Sequence, residues 1–397
     1  MKIEEAIAVM LDNLKEYKQQ PETVSVSECS GRYLEEDAAA LFDVPGFDRS
    51  AMDGYAVRSE DIKDAPVSLE VIGEVFAGDH KQICCKERTA VRIMTGGMIP
   101  EGYDCVVKQE DTDYGEEIVT VNRSVPSGMN IGLAGEDMKK GTLMIKAGTR
   151  LTPAHAGILA GQGIGQVKVK SPFNTALLAT GSELTEPGLA LECGKIYNSS
   201  VYVLSNSIKC MGLGVSGIYS LADDGDAIIQ AIQRMKKNDQ VIITTGGVSV
   251  GKRDLMPDIL DRINAKILFR NVDIQPGTPT IGAISDGTLI LCLSGNPYAA
   301  LANFEIYFPE AAAVLMNCES LRPKIHEGIM TCAYEKKNFH RRMIRARFEN
   351  GKIYLPEASH LASVISNLIS CNCMIDLEPG RSLAPGDSVK VRMLSTI

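Results

Sequence analysis

Residues 240–247 read QVIITTGG, an apolar, β-branched run that ends in two threonines and two glycines. A second run, LILCL at 289–293, is followed by SGNP at 294–297. Strands that are apolar along their whole length are typical of parallel sheets, because helices cover both faces of such a sheet. The two runs therefore predict a parallel-sheet domain in this part of the chain.

After Pro172 the sequence alternates such strand-like runs with helix-like segments. In chain order the segments are TALLATGSEL, VYVLSNSIKCMG, GVSGIYSLADD, DAIIQAIQRMKK, QVIITTGG, LMPDILDRI, LILCLSGNP and AALANFEIYF. Alternation of this kind is typical of a three-layer α/β/α domain. We predict a multidomain α/β protein with one such domain of roughly 150 residues, within the usual size range.

The flanking segments have other patterns. Short apolar runs from about residue 67 to 120 are separated by Gly, Pro and acidic breaks, which predicts strands. Beyond Pro323, polar and apolar residues alternate between glycine turns, which predicts a small β-barrel or sandwich. Thr152 before Pro153 predicts a helix start, and GQGIG at 161–165 predicts a tight turn from that helix into a strand.

The N-terminal stretch MKIEEAIAVMLDNL predicts an amphipathic helix. Its acidic residues lie inside the apolar periodicity, so it does not resemble a signal peptide. The chain has 397 residues and no apolar run long enough to span a bilayer. We therefore expect a multidomain cytoplasmic protein that does not bind a membrane.

Charge and cysteine usage exclude some functions. The formal charge of −9 argues against nucleic-acid binding, which requires a basic surface. The 11 cysteines are scattered and form no C-x-x-C pair, and the five histidines show no ligand spacing. We expect reduced thiols and no transition metal held by protein ligands.

Four turns follow the predicted parallel strands, and the carboxyl ends of parallel strands are where such sheets place ligands. They are TGSEL (180–184), LADDGD (221–226), TTGGVSVGKRD (244–254) and LSGNP (293–297). Any one of them could be an ordinary helix cap. Together, their glycines, the helix N-termini behind them and their acids (Glu183, Asp223, Asp224 and Asp254) predict a phosphate-bearing ligand with Mg²⁺.

The stretch SAMDGYA (50–56) raises a separate question about Asp53. It follows a Pro-Gly turn at residues 45 and 46, and no helical or strand period passes through it. A loop aspartate of this kind is usually a turn former or a helix cap. Only the wider sequence suggests another role.

The motifs together resemble the molybdopterin molybdenumtransferases, the MoeA and gephyrin E-domain group. The matching stretches, in the family's order, are VPGFDRSAMDGYAVRSED (44–61), AVRIMTGGMIPEGYDCVVKQED (90–111), residues 135–169, LLATGSEL (177–184), IYNSSVYVL (196–204), TTGGVSVGKRD (244–254), QPGTP (275–279) and SGNPYAA (294–300). The resemblance implies an elongated homodimer of four-domain chains, with a linking domain (1–43 plus 128–170), a β-rich domain carrying SAMDGYA (44–127), a molybdopterin-binding α/β domain (171–321) and a C-terminal β-barrel (322–397). It places the active site between the α/β domain of one subunit and the SAMDGYA domain of the other.

The resemblance also implies roles for individual residues. The catalytic residues would be Asp53, Thr95, Glu183, Asp223 and Asp254, of which Glu183, Asp223 and Asp254 would hold Mg²⁺. The residues that bind the pterin substrate would be Thr180, Gly181, Ser182, Gly246, Gly247, Ser249, Gly251, Pro276, Pro279, Ser294, Gly295, Asn296 and Pro297. Arg345 and Ser359 would bind the oxyanion.

The implied reaction inserts molybdate into adenylylated molybdopterin with Mg²⁺-dependent release of AMP. The molybdopterin adenylyltransferase and apo-molybdoenzymes are further expected partners. The sequence departs from the family at Gln275 and Thr278, where lysines are usual, and at Ala299, where a serine is usual. These changes favour one alternative, a molybdopterin carrier or scaffold. The sequence also leaves open a tungstate-specific enzyme. A third alternative is an adenylyltransferase or pyrophosphatase-like enzyme, although the domain with Asp53 and the C-terminal domain argue against it.

Overall fold

The computed structural model describes residues 1–248, 255–337, 339–357 and 361–395. The chain divides into two compact units. The large unit comprises Met1–Glu36, Gly148–Ala156 and Gln166–Ile397, and the small unit comprises Asp37–Ala147 and Gly157–Gly165. The finer division into four domains stays a prediction.

The helices are α1 (Ile3–Asp12), α2 (Pro153–Gly161), α3 (Ser200–Cys210), α4 (Gly225–Met235), α5 (Met256–Arg262) and α6 (Pro297–Leu315). The strands of the N-terminal half are β1 (Glu22–Ser25), β2 (Ala38–Ala39), β3 (Arg49–Ser50), β4 (Gly54–Val57), β5 (Val67–Val75), β6 (Thr89–Ile93), β7 (Cys105–Lys108), β8 (Ile118–Val121), β9 (Ile131–Gly132), β10 (Leu143–Ile145), β11 (Gln166–Val169), β12 (Asn174–Thr180), β13 (Leu184–Thr185) and β14 (Ile196–Tyr197). Those of the C-terminal half are β15 (Gly214–Leu221), β16 (Val241–Thr245), β17 (Lys266–Arg270), β18 (Ile274–Gln275), β19 (Ile281–Ser285), β20 (Thr288–Leu293), β21 (Ile325–Met330), β22 (Arg341–Glu349), β23 (Lys352–Tyr354), β24 (Cys373–Leu377) and β25 (Ser388–Met393).

The predicted α/β domain forms the centre of the large unit. Its sheet has the order β15-β12-β16-β20-β19-β17. The first four strands are parallel, but β19 and β17 are antiparallel, so the sheet is mixed and not wholly parallel as the sequence predicted. A tight turn at Asp286–Gly287 joins β19 directly to β20, which leaves no room for the helix that a parallel connection needs.

Helices cover both faces of this sheet, as predicted. Side chains of α3, α6 and α1 pack on one face, and those of α4 and α5 pack on the other. Every residue of β16 and β20 is buried, which explains why these two runs are apolar throughout. In α1, the side chains of Ile3, Ala6 and Met10 are buried, in agreement with the predicted amphipathic helix.

The C-terminal part of the large unit is a closed β-barrel of five strands. The closure runs from β22 to β23, β21, β25, β24 and back to β22. Inward-facing residues such as Met330, Ile344, Ile375 and Val391 form its core. The short strand β18 extends this barrel by pairing with β22.

The small unit contains the strands predicted between residues 67 and 120. Together with β4, they form a five-stranded sheet of order β7-β4-β6-β5-β8 with buried residues on both faces. The predicted helix start at Pro153 and the turn at 161–165, between α2 and β11, are also confirmed. In the part of the chain that the structure describes, no helix has the length and apolar character needed to cross a membrane.

Candidate functional site

Asp53 lies in an exposed loop between β3 and β4 of the small unit. Its Oδ1 accepts hydrogen bonds from both the backbone N–H and the hydroxyl of Thr95, each at 2.7 Å. These bonds, the backbone one first, hold the pKa of Asp53 below its ordinary value. The structure therefore brings the two predicted catalytic residues of this unit together and favours an ionised carboxylate.

The backbone around Asp53 is held by close contact between strands. Gly54 pairs with Lys108 of β7, and a Cβ at Gly54 would lie 1.9 Å from the Val107 carbonyl oxygen. The N–H of Gln109 donates to the Asp53 carbonyl at 3.0 Å. Glycine is thus required next to Asp53 because a neighbouring strand occupies the space of its side chain.

In the large unit, the carboxyl ends of β15, β12, β16 and β20 lie side by side. Hydrogen bonds link the turns that follow them: Gly181 N–H donates to Leu221 O, and Gly246 N–H donates to Leu293 O, both at 3.1 Å. We call this set of turns, residues 180–183, 221–224, 245–247 and 293–297, the strand-end edge. The turns that the sequence predicted at one edge are therefore neighbours in space, as the parallel register requires.

Glycines allow these turns to pack closely. Gly246 has a φ of +97°, and a Cβ there would lie 2.2 Å from the Thr180 carbonyl oxygen. A Cβ at Gly295 would lie 3.5 Å from the Gly246 Cα. Small residues at this edge let the turns approach one another closely, and glycine-rich turns of this kind are typical of phosphate-binding sites.

The acids of the strand-end edge have different environments. The Asp223 carboxylate lies 3.4 Å from both the N–H and the hydroxyl of Ser182, and it is exposed. The Glu183 carboxylate folds back over Gly181, where a Cβ would lie 2.8 Å from both of its oxygens. Asp224 instead caps α4 by accepting from the N–H groups of Asp226 and Ala227, so its carboxylate serves the helix.

Three predicted residues of this edge, Ser249, Gly251 and Asp254, lie outside the described residues. Within the described ranges, no three His, Cys, Asp or Glu side chains are arranged to hold a metal ion. The two exposed carboxylates of Glu183 and Asp223 nevertheless fit Mg²⁺, which takes oxygen ligands and retains several waters.

The last turn leads into α6. Asn296 is its N-cap residue and Pro297 its first residue. Ser294 Oγ accepts from Asn296 N–H at 3.2 Å, and Ser200 Oγ donates to Gly295 O at 3.2 Å. The Asn296 Oδ1 is buried and accepts no hydrogen bond from any residue that the structure describes. Such an orphaned acceptor beside the strand-end edge is consistent with a ligand that donates to it.

Two residues that the sequence did not indicate lie at this edge or directly beside it. Lys195 Nζ donates to the Ser182 carbonyl at 2.6 Å, which places a cation beside the predicted acids. Glu186 accepts from the side chains of Ser220, Tyr202 (2.7 Å) and Asn198 (3.3 Å). Partial burial raises the pKa of Glu186, but these hydrogen bonds outweigh it and leave the pKa below its ordinary value.

Both residues reach the edge because β13 pairs with β14 in parallel, which folds the loop 186–195 back. Neither strand exceeds two residues, so no periodicity in the sequence indicates the pairing. The stretch IYN at 196–198, which follows Lys195 and matches the family, was the available signal that this loop belongs near the site.

Arg345, one of the two predicted oxyanion residues, lines a cavity of about 230 Å³ in the large unit. It is lined by Gln275, Pro276, Tyr298, Lys336, Arg342, Met343, Ile344, Arg345, Leu361 and Ala362. Pro279 lies in the same QPGTP loop, whereas Ala299 is buried within α6. Ser359 lies outside the described residues.

Arg345 is 1% exposed, and most of its N–H donors bond to other residues of the protein. Its guanidinium donates to Leu361 O (2.6 Å), Val364 O and Asn367 Oδ1 (2.7 Å), and lies 3.8 Å from the centre of the Tyr298 ring. Its Nε has no hydrogen-bond partner among the described residues. Burial lowers the pKa of Arg345. Among the described residues the Nε–H of Arg345 is thus left without an acceptor, and Lys336 and Arg342 line the same cavity.

Comparison with known proteins finds one family along the chain. Residues 1–163 match the model of the MoeA N-terminal region (domain I and II), and residues 176–313 match that of a probable molybdopterin binding domain. A Staphylococcus aureus protein named molybdopterin molybdenumtransferase is 34% identical over 378 residues, covering 93% of this chain and 90% of that protein. Its Staphylococcus epidermidis namesake is 35% identical over 377 residues, with the same coverage.

The fold matches a solved structure along its whole length. The molybdopterin biosynthesis MoeA protein from Pyrococcus horikoshii OT3 aligns with a TM-score of 0.82 and 28% identity, covering 99% of each chain.

Proposed function

The chain belongs to the MoeA family of molybdopterin molybdenumtransferases, enzymes of molybdenum cofactor biosynthesis, and we propose that it inserts molybdate into adenylylated molybdopterin with release of AMP. The observation that carries this proposal is the strand-end edge. It combines close-packed glycine turns, two exposed acids, a lysine and an orphaned amide oxygen within a few residues of four parallel strands.

In this proposal the turn N–H groups and Lys195 bind the phosphates of the substrate. Asn296 Oδ1 accepts a hydrogen bond from the pterin, since its oxygen has no protein donor in the described part of the chain. Glu183 and Asp223, together with Asp254, would hold Mg²⁺, which stabilises negative charge on the leaving phosphoryl group. Glu186 keeps the loop with Lys195 in place, through its bonds to Ser220, Tyr202 and Asn198.

Hydrolysis of the phosphoanhydride then releases AMP as the dithiolene sulfurs attack molybdate. Asp53 acts as an ionised acid in this step, since its bonds from Thr95 keep its pKa low. In the proposed cytoplasmic enzyme two copies of the chain form a homodimer, and Asp53 of one copy acts with the acids of the other. The molybdopterin adenylyltransferase would supply the substrate, and apo-molybdoenzymes would receive the product.

The molybdate dianion binds in the proposed enzyme at the cavity of Arg345. Lys336 and Arg342 supply the positive charge there that Gln275 and Thr278 lack relative to the family. Loss of one charge-assisted hydrogen bond costs about 1.5–3 kcal/mol. Lys336→Met should therefore raise the molybdate concentration needed for half-maximal turnover about 10- to 100-fold. Lys337→Met, one residue away and outside the cavity lining, is the matched control.

One assay tests the reaction directly. Purified protein is mixed with adenylylated molybdopterin, Mg²⁺ and molybdate, and AMP release is followed together with activation of an apo-molybdoenzyme. We expect both to depend on molybdate. AMP release that does not depend on molybdate would reject insertion. The same assay with tungstate in place of molybdate tests which oxyanion the enzyme uses.

A carrier or scaffold is the second candidate function. The absence of the usual residues at Gln275, Thr278 and Ala299 favours it, as does the commitment of Arg345 to protein acceptors. In that case adenylylated molybdopterin binds in calorimetry but no AMP appears at any molybdate concentration.

Two sets of variants test the role of Asp53. Asp53→Asn should abolish turnover and leave substrate binding intact; collapse of binding would make the loop structural. A mixed dimer of Asp53→Asn and Asp223→Asn chains should recover one working site of two. No recovery would mean that both acids act within one chain.

A further inference from the structure

A second cavity lies in the large unit, away from the strand-end edge. Its volume is about 360 Å³, and its walls come from β15, α4 and the loop that follows α4, with Ser216, Tyr219, Ala231, Arg234, Met235, Asn238 and Asp239 as lining residues. Asp239 precedes β16, whose far end carries the strand-end edge. At about 3.3 Å per residue, this strand separates the two places by roughly 16 Å. A small molecule in one cannot touch the other.

Asp239 lines this cavity and is buried without a full set of partners. The residue is 4% exposed, and its Oδ1 has no hydrogen-bond partner in the described ranges. Its backbone is fixed, because its N–H donates to Met235 O at 2.9 Å and its carbonyl accepts from the Thr288 hydroxyl at 3.0 Å. The carboxylate therefore cannot turn out to solvent by a local backbone movement.

The charge of this carboxylate is not balanced by the protein. Burial raises the pKa of Asp239, a hydrogen bond from Ser216 opposes this in part, and no cationic side chain among the described residues contributes. Leaving a buried polar group unsatisfied costs about 1–3 kcal/mol, and more when the group is charged. A cationic donor that enters the cavity would remove this cost.

The wall formed by β15 is shaped by a bulge and a glycine. β12 pairs Thr175 with Val215 and Ala176 with Gly217, so Ser216 is the extra residue of a bulge. Bulges redirect side chains. The Tyr219 ring lies against Gly217, where a Cβ would be 2.7 Å from its Cε2 and Oη. The bare glycine thus allows the aromatic ring to form a wall of the cavity.

The rim carries the opposite charge. Arg234 is exposed, and its Nε donates to the Gln230 carbonyl of its own helix at 3.3 Å. In the part of the chain that the structure describes, no acid forms an ion pair with its guanidinium. The lining of the cavity therefore includes a buried carboxylate and a guanidinium that forms no ion pair with a described residue.

We propose that this cavity binds a free α-amino acid. The ammonium group of the ligand donates to Asp239 Oδ1, its carboxylate faces Arg234, and its side chain packs against Tyr219 and Met235. The volume is at the low end of ligand pockets, which suits a molecule of this size.

Other ligand classes fit less well. A phosphate or sulfate would be repelled by Asp239. A metal ion would meet a single carboxylate and the charge of Arg234, and no group of metal-ligating side chains is found among the described residues. A ligand with both charges can pair with both of these lining residues.

The test uses the full-length protein without its substrate, so the result does not depend on the proposed transferase activity. Ligand-observed NMR is recorded with an equimolar mixture of the twenty amino acids, and each amino acid that responds is titrated by calorimetry. We expect at least one to bind, and to bind at least tenfold more weakly to Asp239→Asn and to Arg234→Met. Asp258→Asn, an exposed aspartate on α5 outside the cavity lining, is the matched control and should bind normally.

Ligand derivatives give the same test without altering the protein. The N-acetyl derivative of the responding amino acid lacks the ammonium charge. The C-terminal amide of the same amino acid lacks the carboxylate charge. Neither should bind. The proposal is overturned if no amino acid binds the unaltered protein, or if binding persists in Asp239→Asn or Arg234→Met.

Discussion

At the scale of single residues, Asp53 receives both of its side-chain hydrogen bonds from Thr95, 42 positions further along the chain. An exposed carboxylate that accepts two hydrogen bonds loses little solvation, and the bonds favour its charged form. An aspartate that only forms a turn bonds to N–H groups two or three residues away. The long-range partner therefore separates Asp53 from an ordinary turn residue.

Thr95→Val removes one of the two donors and keeps the backbone N–H. The pKa of Asp53 should rise towards its ordinary value, because less of the stabilisation of the carboxylate remains. If ionised Asp53 is required for turnover, the acid limb of the pH profile of AMP release moves to higher pH. Thr95→Ser keeps the hydroxyl and should leave this limb unchanged, whereas an unshifted limb in Thr95→Val would contradict a role for the pair.

Glu305 shows the opposite behaviour in the core of α6. Burial raises its pKa to about 7, opposed by hydrogen bonds from the Ser395 hydroxyl and backbone N–H and by the charge of Arg392. Its Oε1 has no partner among the residues described. From the ordinary value of 4.5 up to about 7, the folded protein holds a proton that the unfolded chain has released.

The free energy of unfolding should therefore fall as pH rises across this interval, by on the order of 3 kcal/mol from this residue. Glu305→Gln carries no titrating proton and should remove that fall. Urea unfolding at pH 5 and pH 8 measures it, with the exposed Glu327→Gln as control. If the free energy of unfolding has the same pH dependence in Glu305→Gln and in the unaltered protein, the pH dependence does not come from Glu305.

At the scale of elements, the strand-end edge depends on how tightly neighbouring turns approach. Gly246 combines a positive φ with a Cβ position only 2.2 Å from the Thr180 carbonyl oxygen. The first feature is a local property of the turn. The second exists only because β12 and β16 are paired in parallel.

Alanine substitutions can separate the two contributions. Gly287 also has a positive φ, +85°, but nothing lies within 4 Å of its Cβ position. Gly287→Ala should cost only the backbone strain, roughly 1–3 kcal/mol. Gly246→Ala should cost more, because a Cβ 2.2 Å from a carbonyl oxygen forces the turns apart. Chemical denaturation of both variants gives the comparison, and equal costs would mean that the contact is easily relieved.

At the scale of the whole molecule, the chain forms two units that each have buried apolar clusters of their own. The clusters of the small unit contain residues such as Tyr55, Val91 and Val107, and the largest cluster of the large unit contains Phe173, Leu291 and Phe304. Separate cores favour separate unfolding transitions.

Gly54→Ala tests this independence. The Cβ would meet the Val107 carbonyl, so the small unit should lose several kcal/mol while the large unit is unchanged. Calorimetry should show two transitions, of which one moves to lower temperature. Gly46→Ala is the matched control in the same unit, because its nearest neighbour is 3.7 Å away. A joint shift of both transitions would show that the units unfold together.

The elements with a strong local signal were predictable. β16 has the bounds that its apolar run indicated, and α2 begins at Pro153, where the fixed φ of proline suits a first helical turn. The mixed order of the sheet was not predicted, because the segments recognised as strands were the four parallel ones and did not include β17 and β19. The turn residues Asp286 and Gly287 were the available signal for an antiparallel hairpin.

The sequence by itself determined the α/β layers, the closing barrel, the family and the four turns at one edge, since apolar periodicity and turn residues are local properties of the chain. Only the tertiary structure decided which polar groups have partners. Lys195 lies at the strand-end edge and Glu186 directly beside it. Arg345 donates most of its hydrogen bonds to protein oxygens. The Asp239 Oδ1 has no hydrogen-bond partner among the described residues. Each of these outcomes involves residues from separate segments of the chain. Hydrogen bonding and desolvation depend on how close groups lie in space, and the sequence alone does not give these distances.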